Sequence, residues 1–260
     1  MIKILFIGDI VGTPGITAVT RMLKETNGPN YDFIIANIEN AAGGFGVSSD
    51  TFQTLSSLHI DCFTSGNHIW DKPEGQKLLV SETSLLRPAN YPPSNPGFGW
   101  QVFEIGNNSK IAVINLQGRV YMTSIDCPFR KADQILEELN STCDLIFVDF
   151  HADASSEKQA MGWYLDGRVS AVVGTHTHVQ TADESVSERG TAYITDVGMT
   201  GPHDSIIGMA IGPSLGRFLT SMPKRFTCAK DDIKISGVLL TLNGENGAAE
   251  NIERFVINYG

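Results

Sequence analysis

Five short apolar segments, each typical of a buried β-strand, are followed at once by polar side chains that can bind a metal ion. In open α/β sheets, ligands bind in the crevice outside the carboxyl ends of the strands. The repeated arrangement therefore predicts an α/β fold with one shared site at the strand ends. The five polar sequences are Gly8-Asp9, Asn37-Ile38-Glu39-Asn40, Gly66-Asn67-His68, Asp149-Phe150-His151 and Gly174-Thr175-His176-Thr177-His178.

The order of apolar runs and helical patterns predicts strands that alternate with helices in the first and third quarters, and hairpins in the middle and at the end. Strands are expected at 2–7, 33–36, 62–65, 100–105, 111–116, 145–149, 169–173, 191–195, 235–242 and 252–257. Helices are expected at 13–25 (Thr13 as N-cap), from 49 through Leu58, at 132–139 and at 157–164. Residues 87–96 are expected to form a loop, and 198–214 an active-site loop. A single α/β domain over 1–260, with two sheets between helices, accommodates this order best.

The charge balance excludes one class of partner. The chain of 260 residues has 19 Lys plus Arg and 29 Asp plus Glu, for a net charge of −10. It therefore lacks the basic face that long nucleic acids require. No apolar run approaches the roughly 20 residues of a membrane span, and the N-terminal stretch is too short for a signal segment. We expect a cytoplasmic protein with no membrane partner, whose four cysteines are buried, reduced thiols.

His176-Thr177-His178 is the most specific single motif. In an extended backbone, residues two apart point the same way, so both imidazoles could face one cavity. The alternative is a pair of surface histidines in a polar turn.

The carboxylates and the other histidines are individually ambiguous. Glu39 could bridge two divalent ions and limit their mutual repulsion, or lie in a solvated turn. Asp9 could equally cap a helix or stabilise a turn. His68 follows Asn67 directly, so it should point away from the metal and towards a substrate. His59 is better explained as a partner of a helix C-terminus. His203 could contact a substrate, or it could simply belong to a loop.

Taken together, these positions provide oxygen and nitrogen ligands and no thiolate. That mixture suits Mn²⁺, Fe²⁺ or Zn²⁺ at coordination numbers above four. The set is too large for one ion that must leave room for water, so two ions bridged by Glu39 are expected. The seven candidate metal ligands are Asp9, Glu39, Asn40, Asn67, His151, His176 and His178.

The order of these motifs resembles that of the calcineurin-like metallophosphoesterase superfamily, and more closely that of the bacterial YmdB-like metallophosphodiesterases. The resemblance runs from residue 2 to about 210. Most calcineurin-like enzymes have Asp-x-His at the first strand and Gly-Asp at the second. Here Asp9-Ile10-Val11 and Glu39-Asn40 stand instead, as in the YmdB-like branch.

The resemblance implies a four-layer α/β/β/α sandwich with two central mixed sheets, and a homo-oligomer, either a dimer or a tetramer. It also implies how the ligands are divided between two divalent ions, most simply iron or manganese, with zinc as a further possibility. Asp9, Glu39, Asn40 and His178 would hold one ion, and Glu39, Asn67, His151 and His176 the other. His68 would be the catalytic acid that protonates the leaving alkoxide.

The expected reaction is hydrolysis of a small phosphodiester by a hydroxide that bridges the two ions. Cyclic nucleotides, 2′,3′- or 3′,5′-linked, are the substrate class that the resemblance implies. The ligand set does not encode the ester type, so a phosphomonoesterase or nucleotidase remains an alternative. A metal-dependent nucleotide sensor without turnover is a second alternative, although it would not need His68. A binuclear amidohydrolase fits less well, because that class has His-x-His on its first strand.

Overall fold

Two mixed β-sheets form the centre of the computed structural model, which describes residues 1–25, 31–106, 109–139 and 142–259. The strands are β1 (Ile2–Ile7), β2 (Phe33–Asn37), β3 (Cys62–Thr64), β4 (Trp100–Ile105), β5 (Ser109–Gln117), β6 (Leu145–His151), β7 (Ala171–Thr175), β8 (Ser185–Val186), β9 (Ala192–Ile194), β10 (Gly201–Pro202), β11 (Ile233–Leu242) and β12 (Ala249–Asn258). The helices are α1 (Gly12–Glu25), α2 (Ser49–Ser56), α3 (Pro73–Ser81), α4 (Pro128–Leu139), α5 (Ser155–Leu165) and α6 (Ile211–Thr220), with a 3₁₀ helix at Asn67–Trp70.

Both sheets have a parallel centre with antiparallel strands added to it. The first has the order β10-β11-β1-β2-β3, and β12 also pairs with β11. In it β1, β2 and β3 are parallel, and β11 is antiparallel to β1. The second has the order β4-β5-β6-β7-β9-β8, in which only the outer strands β4 and β8 are antiparallel to their neighbours. The carboxyl ends of β1, β2, β3, β6 and β7 carry the five polar sequences.

The apolar core has three layers, which confirms the predicted four-layer sandwich. The central layer lies between the two sheets, where the rings of Phe6 and Phe147 are 5.1 Å apart, centroid to centroid. A second layer packs α1 and α2 on the outer face of the first sheet, through residues such as Val19 and Leu55. A third packs α4 and α5 on the second sheet, through residues such as Ile135 and Met161. Each sheet is thus covered on both faces, as expected for nearly continuous apolar strands.

Several element boundaries differ from the sequence-based expectation. α3 was not predicted, and α6 begins inside the segment 198–214 that was expected to be a loop. α1 begins at Gly12, so Thr13 lies inside it, and α2 ends at Ser56. α6 carries apolar residues at helical spacing, but their side chains are exposed and only Ser214 of this helix is buried. These exposed residues are Ile211, Leu215, Phe218 and Leu219. The predicted hairpin of β4 and β5 is confirmed by their antiparallel pairing, although residues 107 and 108 of its turn lie outside the described residues.

Two side-chain expectations also need correction. All four cysteines are free, but only Cys62 is buried, and Cys127, Cys143 and Cys228 are half-buried in or beside loops. His59 lies beyond the end of α2 with a φ of 58°, in a turn rather than in the last helical turn. None of the helices in the described parts of the chain combines the length and apolar character needed to cross a membrane.

Candidate metal centre

The structure brings all seven predicted ligands to one place, at the carboxyl ends of strands from both sheets. Asp9, Glu39, Asn40 and His151 are buried, and the other three are half-buried. His151 is the last residue of β6, and Asn67 is the first residue of the 3₁₀ helix that follows β3. The other ligands lie in the loops that follow β1, β2 and β7. The site therefore depends on the two sheets facing each other, because neither sheet carries the whole set.

Three ligand atoms surround the Nε2 atom of His151. Glu39 Oε1 lies 3.1 Å from it, Asn67 Oδ1 3.2 Å and His176 Nδ1 3.0 Å. Gly66 makes this approach possible, since a Cβ atom there would lie 2.1 Å from the His151 ring. The ligand atoms of Glu39, His151 and His176 all lie within 4.8 Å of one another. These atoms converge closely enough to share one cation.

A second group of predicted ligands meets Glu39 through Asn40. Asn40 Nδ2 is 3.2 Å from both Glu39 Oε1 and His178 Nε2. Rotating this amide by about 180° would present its oxygen to the same point, where a cation could bind it. Asp9 Oδ2 accepts a hydrogen bond of 3.1 Å from the His176 backbone N–H, and Asp9 Oδ1 is buried with no hydrogen-bond partner among the described residues. Glu39 thus lies between the two groups of ligands.

The donor set fits divalent cations. A buried carboxylate oxygen without a partner, as in Asp9, is costly unless a cation or water satisfies it. Carboxylate, amide and imidazole donors suit manganese, iron or zinc, and the described residues of the cluster include no thiolate. These residues are the ones that would hold the metal.

Metal ligands must be deprotonated, and two residues of the cluster, Glu39 and His176, are held in that form. Burial, reinforced by nearby His151, lowers the pKa of His176 to about 3, so this imidazole is neutral at pH 7. Burial opposes ionisation of Glu39, but the facing His151 outweighs it and holds the pKa of Glu39 below its ordinary value. Burial alone would lower the pKa of His151, yet the carboxylate of Glu39 raises it to about 9. A metal ion would displace the His151 proton.

The two histidines of the His-Thr-His motif reach the site by a different backbone path from the one predicted. His176 has a φ of 100° and His178 a φ of 66°, so the segment is not an extended strand in which alternate side chains share a face. β7 ends at Thr175 and the chain turns at each histidine. Positive φ at a non-glycine residue is strained, and it persists only where surrounding contacts enforce it.

A buried ion pair supplies those contacts, and sequence reasoning missed it. Asp196 Oδ2 accepts hydrogen bonds from the Thr177 backbone N–H (3.0 Å) and from Thr177 Oγ1 (2.7 Å). The same oxygen accepts a 2.6 Å bond from Lys158 Nζ, and both members of this pair are buried. Lys158 lies on α5, 38 residues before Asp196, and no local pattern marks the pair. It clamps Thr177 between the two strained histidines.

Replacing Lys158 with methionine should lower the free energy of unfolding by about 3–5 kcal/mol, because the carboxylate of Asp196 would remain buried without its cation. Chemical denaturation of the metal-free protein would measure this loss. Lys234→Met is the matched control, since the Lys234–Asp232 pair is partly exposed and should contribute less than about 1 kcal/mol. Equal stabilities of the two variants would show that the clamp does not stabilise the fold.

A second buried network orients His151. Its Nδ1 lies 2.9 Å from Thr175 Oγ1, which donates a 2.7 Å hydrogen bond to Asp149 Oδ1. Because the Thr175 proton goes to Asp149, the Thr175 oxygen accepts from His151 Nδ1–H, which leaves the Nε2 lone pair for a metal. Asp149 was not predicted as a site residue. The available signal was its spacing, since residues two apart in a strand share a face.

His68 lies beside the ligands but faces a different partner. It is in the 3₁₀ helix, and its backbone N–H donates a 2.8 Å hydrogen bond to Glu39 Oε2. Its ring Nδ1 lies 2.7 Å from Asp71 Oδ2, and the ring contacts Phe45 at 5.0 Å between centroids. His203, by contrast, bonds to the carbonyl of Gly201. Asp71 therefore bonds to Nδ1 of His68 and leaves its Nε2 available for another partner.

Comparison with known proteins agrees with this geometry. A model of the YmdB-like protein family matches residues 5–255. The 2′,3′-cyclic-nucleotide 2′-phosphodiesterase of Bacillus subtilis is 48% identical over 259 residues, which cover 98% of this chain and 97% of that protein. Among solved structures, a hypothetical protein from Thermus thermophilus is 40% identical with a TM-score of 0.94, and each chain is covered completely. A phosphatase from Mycoplasma pneumoniae is 32% identical with a TM-score of 0.92, over 99% of this chain and 93% of that one. The predicted resemblance is confirmed, and this chain belongs to the YmdB-like protein family.

Proposed function

We propose that this chain is a metal-dependent phosphodiesterase that hydrolyses small phosphodiesters, with cyclic nucleotides as its substrate class. The convergence of Glu39, Asn67 and His176 on His151 Nε2 carries the proposal. The name of the Bacillus subtilis relative supports a 2′,3′-cyclic nucleotide as the first choice, cleaved at the 2′ oxygen. A 3′,5′-cyclic nucleotide is the related substrate to compare.

Two divalent ions are the arrangement that uses all seven ligands. Asn67, His151 and His176 would hold one ion, Asp9, Asn40 and His178 the other, and Glu39 would bridge them. Iron and manganese suit this oxygen-rich set best, and zinc is also compatible. Bound ions would activate a water molecule at neutral pH and neutralise charge on the phosphate oxygens.

His68 is suited to protonate the leaving oxygen through Nε2, the ring nitrogen left free by the bond to Asp71. Asp71 holds the orientation of the His68 ring, as a carboxylate does for a catalytic histidine. The Glu39 carboxylate anchors the His68 backbone through Oε2, so the acid keeps a fixed position relative to the metal ligands. Alkoxides are poor leaving groups, which makes such an acid necessary for a diester.

A phosphomonoesterase is the second candidate, favoured by the description of the Mycoplasma pneumoniae structure as a phosphatase. The same ligands could bind a monoester. The two candidates differ in whether a nucleoside monophosphate is a product or a substrate.

Removal and return of metal tests the proposal. Chelator-stripped protein should show no turnover of adenosine 2′,3′-cyclic phosphate, and added Mn²⁺ should restore it with 3′-AMP as the product, followed by liquid chromatography. Release of inorganic phosphate from 3′-AMP at a comparable rate would favour the monoesterase. Two bound ions with no hydrolysis of either substrate would overturn both candidates.

A further inference from the structure

The glycine-rich loop after β2 places an aromatic ring beside the proposed catalytic acid. Phe45 lies between Gly44 (φ 102°) and Gly46 (φ 73°), backbone conformations that L side chains rarely adopt. The Phe45 ring meets the His68 ring at 67°, with centroids 5.0 Å apart. Phe45 is only half-buried, so part of its surface is free to meet a ligand.

A second ring comes from a distant part of the chain. Phe226, in the segment between α6 and β11, lies with its centroid 6.4 Å from that of Phe45 and 27° from parallel. The guanidinium of Arg217 lies 5.3 Å from the centre of the Phe226 ring. Phe226 is also half-buried. Phe226, whose ring lies under the Arg217 guanidinium, thus extends the aromatic surface that Phe45 begins beside His68.

This aromatic pair is continuous with the metal ligands. Phe45, Phe226 and Cys228 pack on a small apolar cluster of Val11, Met199 and Met209. Val11 follows the ligand Asp9 by two residues. The carbonyl of Ile207, two residues before Met209, lies 3.0 Å from Nδ1 of the ligand His178. The apolar surface therefore borders both the proposed acid and the metal site.

We propose that Phe45 and Phe226 form the nucleobase subsite of this enzyme, which rests on the proposed phosphodiesterase function. In a 2′,3′-cyclic nucleotide, the leaving 2′ oxygen and the base are attached to neighbouring ribose carbons. A substrate whose 2′ oxygen meets His68 therefore has its base within reach of the ring that contacts His68. Every base has a π-face, and stacking on aromatic side chains is tolerant of sequence.

The chemistry of the subsite also predicts its selectivity. Its side chains present ring faces, thioethers and methyl groups, and Arg217 adds a cation. Stacking on ring faces does not distinguish one base from another. The enzyme should therefore accept all four bases, and purines should bind more tightly because their faces are larger.

The test compares a nucleotide with a diester that lacks a base. Phe226→Leu is the principal variant because Phe226 does not contact His68, and Phe45→Leu is the second. For each protein, loaded with Mn²⁺, kcat and KM are measured with adenosine 2′,3′-cyclic phosphate and with 1-O-methylribose 2′,3′-cyclic phosphate. Phe218→Leu is the matched control, since this α6 residue is 77% exposed.

The quantity to compare is kcat/KM for the nucleotide divided by kcat/KM for the base-free diester. We expect this ratio to fall about tenfold in Phe226→Leu, mainly through a higher KM for the nucleotide. It should stay unchanged in Phe218→Leu. If Phe226→Leu and Phe45→Leu both keep the ratio of the unaltered protein, the proposed subsite is wrong. Calorimetric binding of 3′-AMP gives a readout that does not need turnover, and it should weaken about tenfold in Phe226→Leu. If the unaltered protein hydrolyses neither diester, the proposed function fails, while the binding comparison still decides the subsite.

Discussion

Replacing Glu39 with glutamine should reduce metal-dependent turnover at least about a thousandfold, the largest effect expected of any single substitution here. Metal coordination contributes several kcal/mol to such reactions, and each 1.36 kcal/mol corresponds to a factor of ten in rate. The substitution keeps the shape of the side chain but removes the charge that faces His151 at 3.1 Å and lies between the two groups of ligands. Loss of a bridging carboxylate should leave fewer than two ions bound.

Metal content and kcat, measured on the same preparation, check this expectation. Glu25→Gln is the matched control, because Glu25 is an exposed residue paired with Arg21 on α1. Circular dichroism of both variants would confirm that they are folded. A Glu39→Gln protein that binds two ions per chain and turns over normally would show that Glu39 is not a ligand.

Replacing His68 with asparagine should lower kcat for a cyclic nucleotide by about 10²–10⁴-fold while leaving metal content unchanged. The contact between residue 68 and Glu39 is made by the backbone N–H, so it survives the substitution. The nitrogen that is lost is the one that would protonate the leaving alkoxide. The effect should therefore fall on proton transfer and not on metal binding.

The leaving group provides the sharpest check of this role. A bis-nitrophenyl phosphate releases a stable phenolate that needs no proton, so its hydrolysis should be much less impaired in His68→Asn than that of the cyclic nucleotide. His203→Asn, in a loop where the ring bonds to the carbonyl of Gly201, is the matched control. Equal losses with both substrates, or a loss of metal, would mean that His68 acts as something other than the acid.

Local sequence patterns were sufficient for most strands. β1 and β11 are apolar runs long enough to be recognised without tertiary information, and their observed ranges match or closely follow the predicted ones. α3 was missed because it is short and buries only two residues. α6 was missed because Gly212 and Pro213 gave its first turn the composition of a loop, although apolar residues follow at helical spacing. α6 buries only Ser214, so the core places almost no constraint on its sequence.

The candidate ligands followed from the sequence because each stands at the end of a strand or within three residues of it. The sequence also led to the family, whose motifs are short and contiguous. The predicted backbone conformation of His176 and His178 was wrong, because an extended segment was expected and both residues have positive φ. That conformation depends on Asp196 and Lys158, which are distant from the motif in the chain.

The sequence by itself determined the alternation of apolar strands and polar ends, and with it the identity of the residues that can bind metal. Only the tertiary structure decided how those residues meet, because the two sheets must face each other before His151 and Glu39 can approach within 3.1 Å. It also decided which residues support them, such as Lys158, and which rings stand beside His68, such as Phe226. Local hydrophobic patterns are sufficient to indicate where strands form. Contacts between side chains far apart in the chain arise only when the sheets and helices pack.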